Sequence, residues 1–446
     1  MIRKATLLIA GILLGALATI GVTQPQLFSG GKAIAAASDT YRELNLFGDV
    51  FERIRSDYVE EPDDSLLIES AINGMLSGLD PHSSYLNAES FEDMRVQTSG
   101  KFGGLGIEVT MEDGVLKVIS PMDGTPAAKA GVLANDVIIA LDGETVQGIS
   151  LNDAVDRMRG DIGTPITLTI QREGTADPLD IKITRAEITV QAVRSRREGD
   201  IGYIRISSFS EQTFDGLKNA IDKLSAEIGA DKVQGWVIDL RNNPGGLLDQ
   251  SISVSDAFLE HGEIVSTRGR HADQIQRFNA HTGDLVGGKP VIVLINGGSA
   301  SASEIVAGAL QDHRRATIVG TRSFGKGSVQ TIVPLGADGA LRLTTARYYT
   351  PSGNSIQATG ISPDVEVVQE LPPDLAAQIT APPTGEAGLK GHLTGEHEVQ
   401  GQASGSLAYV PPDPKDDKQL NYALDLLRGL QVNTAFPPDP NQGIPN

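Results

Sequence analysis

The spacing of apolar residues changes four times along the chain, and each change marks a region of different predicted structure. Residues 5–22 form an unbroken apolar run, and residues 39–94 then repeat apolar positions at helical spacing. From 102 to 186, apolar and polar residues alternate as in short strands, interrupted by two short helical stretches. After residue 188, buried-type strands alternate with amphipathic helices, which is the pattern of an α/β domain.

The last region, from about residue 369, is rich in proline, glycine and polar residues. Such a composition buries little apolar surface, so a flexible tail is predicted. Within it only "KQLNYALDLLRGL", residues 418–430, has helical periodicity. The whole pattern predicts a multidomain α+β protein with a helical N-terminal segment, a small β-rich domain and an α/β core.

The apolar run near the N-terminus is typical of an export signal. Arg3 and Lys4 precede it, and the small residues of "AIAAAS", residues 33–38, offer cleavage sites. The run is long, however, and the small residues lie some way beyond it, so an uncleaved membrane anchor is the alternative. We expect an exported protein of the periplasm or cell envelope, either soluble or attached to the membrane through its N-terminus.

Composition narrows the classes of function. A hydrophobic share of 40% and 50 glycines in 446 residues describe a loop-rich globular chain. The net charge of −20 argues against nucleic acid as a partner, because phosphate binding requires an excess of cations. Cysteine is absent, which excludes thiol nucleophiles and cysteine-ligated metals. The histidines are scattered, and His82 in "DPHSSYL" is better explained as a turn residue than as a ligand. No metal or other cofactor is implied.

The segment "GTRSFGKGSVQ", residues 320–330, raises the question of what Lys326 does. A phosphate-binding loop has the same G-x-x-x-x-G-K spacing. It also requires Ser or Thr after the lysine and then a helix, whereas Gly327 and a strand-like pattern follow here. The S-x-x-K motif of penicillin-binding enzymes, with Ser323 as nucleophile, opens a helix and has partner motifs that this chain lacks. The third interpretation is that Lys326 is the base for a serine elsewhere in the chain.

The candidate serine lies in "NGGSASASEIVAGALQD", where a buried strand ends, two glycines follow and a helix begins near Ser301. A serine at such a turn lies near backbone N–H groups that can stabilise an oxyanion. Ser301 and Glu304 also fit the S-x-x-E capping box, and on local sequence alone capping explains the pattern better. The G-x-S-x-G and H-E-x-x-H motifs of other hydrolases are absent.

Two longer resemblances change that balance. "FGGLGIEV", followed by "GTPAAKAGVLANDVIIALDGE" and a helix, resembles a PDZ domain, a module that binds the C-terminus of a peptide. "GGSASASEIVAGALQDHRRATIVGTRSFGKGSVQT" and "DLRNNPGGLL" resemble the carboxyl-terminal processing, or tail-specific, serine peptidases, and the similarity runs from about Asp39 to Val368. In that family the middle serine of S-A-S-A-S-E is the nucleophile and a lysine 25 positions later is its base, which implies Ser301 and Lys326.

Further roles are implied by the same resemblance. A glutamine four residues after the lysine orients it in many members, and Gln330 occupies that place. An arginine near the end of the PDZ helix can link peptide binding to the active site, so Arg159 is the candidate substrate sensor, with a solvated helix terminus as the alternative. The loop that would hold the peptide carboxylate consists of Gly104, Leu105, Gly106 and Ile107.

The chemistry requires a neutral lysine and donors for an oxyanion. A free lysine has a pKa near 10.4, and burial can lower it to roughly 7–8, where the amine can take the serine proton. No acid stands beside Lys326 in the sequence. For the oxyanion we expect the backbone N–H of Ala302 together with that of Gly245 or Gly246 from "NPGG". An ordinary strand-to-helix turn is the alternative explanation of that motif.

These interpretations define the predicted domains and function. The domains are a signal peptide or anchor (1–37), an N-terminal helical region (38–96), a PDZ domain (97–187), a protease core with an α/β, crotonase-like fold (188–368) and the tail (369–446). We expect an exported serine endopeptidase that captures exposed C-terminal tails of proteins, with an activating adaptor or a second copy of itself as further partners. A further hypothesis is that the enzyme rests in an inactive state and becomes active when a peptide binds to the PDZ domain. A catalytically inactive PDZ scaffold of the envelope is the alternative.

Overall fold

The computed structural model describes residues 26–112, 114–122, 124–377, 383, 385–398, 404–433 and 435. The apolar run predicted to be a signal or anchor lies outside these residues. Within them, no helix is long and apolar enough to cross a membrane. The chain divides into two compact units, residues 1–74 and residues 75–446.

The first unit contains two helices in its described part, which begins at residue 26. Helix α1 spans Gln26–Asp57, and helix α2 spans Asp64–Ser77, which continues a few residues past the division. The apolar stripe that predicts α1 does not enter a core, because Leu44 and Phe47 are 59% and 54% exposed. Helix α1 covers the stretch that has this period, and these two apolar side chains lie on its exposed surface.

The second unit begins with a polar turn. Asp80 accepts hydrogen bonds from the N–H groups of His82 and Ser83 at 2.8 and 2.9 Å, which closes the turn as expected for this motif. Strand β1 (Ser84–Leu86) and helix α3 (Ala88–Ser99) follow directly.

The β-rich domain begins with strand β2 (Lys101–Gly104) and ends with strand β9 (Ala186–Thr189), and these two strands hydrogen-bond to each other. Its main elements are β2 (Lys101–Gly104), β3 (Ile107–Glu112), β4 (Val115–Pro121), α4 (Pro126–Lys129), β5 (Val137–Leu141), β6 (Glu144–Thr145), α5 (Leu151–Met158), β7 (Pro165–Gln171), β8 (Leu179–Thr184) and β9 (Ala186–Thr189). The sheet has the order β3–β4–β5–β7–β8, with β6 paired to β5. Helix α5 packs Ala154 and Met158 into the core of this domain, and Ser150 caps it by accepting the N–H of Asp153 at 3.1 Å.

The core is an α/β layer structure. Its elements are β10 (Val193–Glu198), β11 (Ile201–Ile206), α6 (Thr213–Ile228), β12 (Gly235–Asp239), α7 (Leu248–Asp256), β13 (Glu263–Gly269), β14 (Ile275–Asn279), β15 (Val291–Ile295), α8 (Ala302–Asp312), β16 (Ala316–Gly320), β17 (Ser328–Pro334), β18 (Ala340–Tyr349), β19 (Val365–Glu366), α9 (Pro373–Ala376) and α10 (Lys418–Leu427). The main sheet has the order β10–β11–β12–β15–β16–β19, and every pair is parallel except β10 with β11. A second sheet has the order β1–β18–β13–β14, with β17 paired to β18.

The main sheet is buried on both faces, which explains its unbroken apolar strands. Helices α6, α7 and α8 share one core with one face of the sheet, and α10 covers the other face. The carboxyl ends of β12, β15 and β16 therefore meet at one edge, where their loops come together. In open parallel sheets this edge is where sites form.

The segment predicted to be a flexible tail is packed against the core in its described parts, so that prediction is corrected there. Glu386 is fully buried and Asp417 is 3% exposed. The segment can approach the core closely because the core has a glycine, Gly297, at the contact. A Cβ at this position would lie 1.7 Å from the Ser406 carbonyl oxygen. Composition does not reveal this packing, because polar groups with hydrogen-bond partners, and not apolar surface, make many of the contacts.

Candidate active site

The candidate nucleophile lies between β15 and α8. Ser301 is 8% exposed and has a φ of 54°, in the left-handed region that is costly for a residue with a Cβ. Its neighbours hold this turn in place: the Ala300 N–H and the Ser303 hydroxyl both donate to the Asn243 carbonyl oxygen at 3.0 Å. A strained serine at a strand-to-helix turn is the geometry by which several hydrolases present a nucleophile.

Glu304, in the first turn of α8, joins the serine turn to the lysine loop. Oε2 of its fully buried carboxylate accepts the N–H of Ser301 at 2.7 Å and the N–H of Lys326 at 2.9 Å. Oε1 accepts the Ser323 hydroxyl at 2.6 Å and the Gly325 N–H at 2.7 Å. Burial raises the pKa of Glu304 to about 7, and these four hydrogen bonds oppose the rise. The glutamate of the S-x-x-E pattern therefore does more than cap a helix.

Lys326 lies in the loop between β16 and β17. Burial lowers the pKa of Lys326, and the positive charge of Arg342 lowers it further. The negative charges of Glu386, Glu304 and Asp80 act in the opposite direction but do not cancel the fall. The sequence shows no acid beside Lys326, and the structure corrects this by bringing three acids near it from distant segments. The Lys326 amine therefore loses its proton at a lower pH than the amine of a free lysine does, as a general base requires.

Gln330, on β17, lies in the same region. Its Nε2 donates to Ser328 Oγ at 2.9 Å and to Thr344 Oγ1 at 3.2 Å. Thr344 Oγ1 in turn donates to Asp80 Oδ1 at 3.1 Å. The hydrogen bonds found for Gln330 therefore connect it to these hydroxyls, and its predicted role in orienting Lys326 stays a prediction.

The predicted oxyanion donors lie together at the serine turn. A Cβ on Gly245 would be 2.9 Å from Ser301 Cβ and 3.0 Å from the nitrogen of Ala302. The Gly245 N–H already donates to Asn243 Oδ1 at 2.9 Å. In the described turns, no hydrogen bond uses the N–H of Ala302 or of Gly246. This geometry favours Gly246 over Gly245 as the second donor.

A buried ion pair anchors the loop that carries these glycines. Arg241 is fully buried at the start of the loop, and its Nη1 and Nη2 atoms lie 2.7 and 2.8 Å from the two carboxylate oxygens of Asp417. Nη2 also lies 2.7 Å from Asp239 Oδ2. Asp417 caps α10 by accepting the N–H of Leu420, so the C-terminal segment supports this loop directly.

Sequence reasoning missed another carboxylate of the C-terminal segment. Both carboxylate oxygens of Glu386 lie 2.9 Å from His82 Nε2, and Oε1 accepts Gln357 Nε2 at 3.0 Å. Gln357 Oε1 accepts the N–H of Gly327, next to Lys326, at 3.0 Å. His82 thus contributes a side-chain contact besides its place in a turn. The 304 positions between His82 and Glu386 leave no local pattern by which to find it.

The predicted carboxylate-binding loop of the PDZ domain connects β2 to β3. Gly104 ends β2, and Ile107 begins β3. Gly106 has a φ of 75°, and a Cβ there would lie 2.3 Å from Thr125 Cβ, so only glycine fits. The loop is held through carbonyl groups, since Gly106 O accepts the Thr125 hydroxyl at 3.0 Å. No hydrogen bond found in this part of the structure uses the N–H of Leu105 or Gly106.

Arg159 follows α5 and contacts α3. Its Nη1 lies 2.6 Å from Asp93 Oδ1, and its guanidinium carbon lies 5.3 Å from the centre of the Phe102 ring. These contacts connect the PDZ helix to the segment before the PDZ domain. The predicted role of Arg159 as a substrate sensor stays a prediction.

The structure disfavours the two other interpretations of "GTRSFGKGSVQ", the phosphate-binding loop and the S-x-x-K motif. Strand β17 follows Lys326, where a phosphate-binding loop requires a helix. Ser323 is fully buried, and its hydroxyl donates to Glu304 and accepts the N–H of Ile361 at 2.7 Å, so it is not free to attack a substrate. Among the residues that the structure covers, no group of three His, Asp or Glu side chains is placed to hold a metal ion.

Comparison with known proteins gives matches over most of the chain. Residues 200–367 match the model of peptidase family S41, residues 103–183 match the PDZ domain, and residues 23–90 match the N-terminal domain of the activating protease CtpB. A carboxy-terminal-processing protease of Bartonella bacilliformis is 59% identical over 442 residues, which are 99% of this chain and 100% of that protein. The carboxy-terminal processing protease CtpA of Bacillus subtilis is 36% identical over 82% of this chain and 76% of its own. Among solved structures, a photosystem II D1 C-terminal processing protease has a TM-score of 0.42 and 31% identity, covering 74% of this chain and 95% of that one.

Proposed function

Because the chain belongs to the carboxy-terminal-processing proteases of peptidase family S41, we propose that it cleaves peptide bonds with Ser301 as nucleophile and Lys326 as general base. The chain is a multidomain α+β serine-type peptidase with a PDZ domain. The observation that carries the proposed dyad is the Glu304 carboxylate, which binds the backbone of both residues in a buried site. The lowered pKa of Lys326 supports the same assignment.

The proposed reaction has two halves. The neutral amine of Lys326 takes the proton of Ser301 as Oγ bonds to the peptide carbonyl carbon, and the N–H groups of Ala302 and Gly246 hold the oxyanion. The carbon–nitrogen bond then breaks, and the ammonium returns the proton to the leaving amine, which leaves an ester on Ser301. A water molecule then gives one proton to Lys326 and attacks the ester carbon. The bond from this carbon to Ser301 Oγ breaks, the Lys326 ammonium returns the proton to Oγ, and the new C-terminal carboxyl group leaves.

Peptide cleavage by purified variants tests this assignment. We expect Ser301→Ala and Lys326→Ala each to abolish cleavage of a peptide with an apolar C-terminus. Lys326→Arg should also be inactive, because a guanidinium does not deprotonate in proteins. Cleavage that persists in both alanine variants would remove these two residues from the mechanism, and no cleavage by the wild type would favour a scaffold function.

We further propose that the PDZ domain receives the C-terminal tail of the substrate along β3. This strand lies at an edge of its sheet, so a peptide can pair with it. The free end of the peptide would then reach the N–H groups of Leu105 and Gly106. A peptide amide in place of the carboxylate should bind at least tenfold more weakly, since each good hydrogen bond to a charged group contributes about 1.5–3 kcal/mol.

The cellular setting is part of the proposal. Arg3, Lys4 and the apolar run after them support export to the periplasm or envelope. Envelope proteins would then be the substrates. The mass of the protein purified from cells would show whether the apolar run is removed. The exposed apolar residues of α1, such as Leu44 and Phe47, support a homo-oligomer or an adaptor as partner. The parallel main sheet is consistent with the crotonase-like arrangement expected for the core.

A further inference from the structure

Glu386 comes from the segment that composition predicts to be loose, yet its side chain has no exposed surface. It begins a short 3-10 turn, Glu386–Gly388. Burial of a carboxylate is costly unless hydrogen bonds compensate for lost water, and here His82 and Gln357 supply them. An apolar side chain would fill the same space at less cost. The retention of a charge at this point therefore calls for a reason other than packing.

The contacts of Glu386 lead to both sides of the lysine. On the C-terminal side, Gln357 donates to Glu386 through Nε2 and accepts the Gly327 N–H through Oε1, both at 3.0 Å. On the N-terminal side, the backbone N–H of Glu386 donates to the Phe324 carbonyl oxygen at 2.9 Å. The loop is thus held two residues before Lys326 and one residue after it.

The same carboxylate reaches the polar turn before β1. His82 Nε2 is 2.9 Å from both oxygens, and the His82 side chain is 16% exposed. Asp80 of this turn accepts the Thr344 hydroxyl, which in turn accepts Gln330 Nε2. Three segments that are far apart in the sequence therefore meet at Glu386 and surround the lysine loop.

We propose that Glu386 is a positioning residue for the general base: its carboxylate, acting through Gln357, fixes the loop from which Lys326 reaches Ser301. The backbone N–H of Glu386 also holds this loop at Phe324, and the side-chain variants below leave that contact in place. This inference rests on the proposed Ser301–Lys326 dyad. It assigns a role in the reaction to the C-terminal segment. Glu386 contacts neither the serine turn nor the PDZ domain in the hydrogen bonds described, so its loss acts on catalysis and leaves peptide capture intact.

The charge of Glu386 gives a readout that a purely structural role would not move. The charged groups that act on Lys326 are Arg342, which lowers its pKa, and Glu386, Glu304 and Asp80, which raise it. Removal of the Glu386 charge therefore lowers the pKa of Lys326 further. Because kcat/KM rises with pH as Lys326 loses its proton, the acid limb of the pH profile of kcat/KM moves to lower pH as well.

The experiment compares Glu386→Gln, Glu386→Asp and a matched control in the full chain, with Ser301→Ala and Lys326→Ala measured in the same peptide assay. Glu398→Gln is the control, because Glu398 forms a similar pair with His392 at 3.0 Å in the same segment. We expect kcat to fall at least tenfold in both Glu386 variants, with KM within about twofold of wild type. The acid limb should move to lower pH in Glu386→Gln and stay in place in Glu386→Asp. Glu398→Gln should keep wild-type kinetics.

The outcomes separate this proposal from the dyad. Cleavage by Ser301→Ala or Lys326→Ala would refute the dyad itself. If both are inactive while Glu386→Gln keeps the wild-type kcat and pH limb, the dyad stands and the positioning role is wrong. A fall in kcat with an unmoved limb in Glu386→Gln would also overturn the role. If Glu386→Gln does not fold, His82→Gln tests the same contact from its more exposed side, and a wild-type kcat there would contradict the proposal.

Discussion

The backbone N–H groups of Ser301 and Lys326 donate to one and the same carboxylate oxygen, Oε2 of Glu304, at 2.7 and 2.9 Å. The serine turn follows β15 and the lysine loop follows β16, which are adjacent parallel strands. One buried side chain therefore sets the spacing of the proposed nucleophile and base. Any change that displaces Glu304 displaces both.

Glu304→Gln should impair catalysis, although it changes the shape of the side chain very little. Each carboxylate oxygen of Glu304 accepts at least one backbone N–H. In the glutamine variant an NH2 group replaces one of these oxygens, so at least one backbone N–H loses its acceptor. A buried N–H without an acceptor costs about 1–3 kcal/mol, so we expect kcat to fall roughly 10- to 100-fold. Steady-state kinetics with a C-terminal peptide check this. Glu227→Gln, on the exposed side of α6, is the control, and equal kinetics for the two variants would contradict the role of Glu304.

Arg342→Gln should move the acid limb of kcat/KM to higher pH. Burial and then the charge of Arg342 lower the pKa of Lys326, so removal of that charge raises the pKa and the amine becomes neutral only at higher pH. Activity at pH 7 falls as a result, while activity at high pH is retained. Arg347→Gln is a matched control on the same strand, because the charge of Arg347 acts on Tyr349. A limb that stays in place in Arg342→Gln would show that this arginine does not tune the lysine.

Gly245→Ala should disrupt the oxyanion site. The new Cβ would lie 2.9 Å from both the Ala300 carbonyl oxygen and Ser301 Cβ, and the φ of 103° is unfavourable for alanine. The same Cβ would lie 3.0 Å from the nitrogen of Ala302, so we expect it to displace that proposed oxyanion donor. Loss of one oxyanion donor typically lowers kcat by about 100-fold or more, and we expect a fall of that order with peptide binding to the PDZ domain unchanged. Gly283→Ala, at another positive φ but with open space around it, separates backbone strain from the clash. Similar losses in the two variants would argue against the predicted site.

The parts of the site that the sequence predicts are those whose partners are close in the chain. The strands, the turn at Ser301 and the strand after Lys326 follow from local patterns, since periodicity and glycines are visible within a few residues. The capping pattern even marks Glu304 as a residue that binds the Ser301 N–H. What it does not show is that the remaining acceptor positions of Glu304 serve a loop some twenty residues later.

The parts that escaped prediction depend on contacts between distant segments. Glu386 and Asp417 lie in a stretch whose composition predicts disorder, because composition counts apolar residues and not hydrogen-bond partners. Their partners, His82 and Arg241, are separated from them by 304 and 176 positions. A single sequence carries no pattern for such pairs.

Asp417→Asn should destabilise the protein and reduce its activity together. Arg241 would keep Asp239 but lose one of two charged partners in a fully buried site. We expect a loss of about 2–3 kcal/mol in the free energy of unfolding, measured by denaturant titration. Activity should fall as well, because the loop after Arg241 carries Gly246, the proposed second oxyanion donor. Asp416→Asn, at an exposed neighbouring position, should change neither property.

Asp93→Asn tests the proposed coupling between the PDZ domain and the protease. The Arg159–Asp93 pair is partly exposed, with side chains 35% and 48% accessible, so it contributes about 0.2–1 kcal/mol. If the pair holds the PDZ helix against α3 before peptide binds, its loss should lower the peptide concentration needed for half-maximal activation by about two- to fivefold. Arg159→Ala should lose the activation. Glu92→Gln, next to Asp93 but paired with Arg95, is the control. An unchanged half-maximal concentration in Asp93→Asn would show that the Arg159–Asp93 pair does not restrain the PDZ helix.

The positions of Glu386 and Asp417 in the chain matter while the protein is being synthesised. Ser301 and Lys326 are made before Glu386 and Asp417, the two carboxylates that support their loops. A chain that emerges with its N-terminus first therefore holds the nucleophile and base before it holds the residues that fix their loops. We expect a chain that ends before Glu386 to lack these contacts and to cleave peptides slowly or not at all. Activity would therefore follow the synthesis of Glu386 and Asp417, and not that of Ser301 and Lys326.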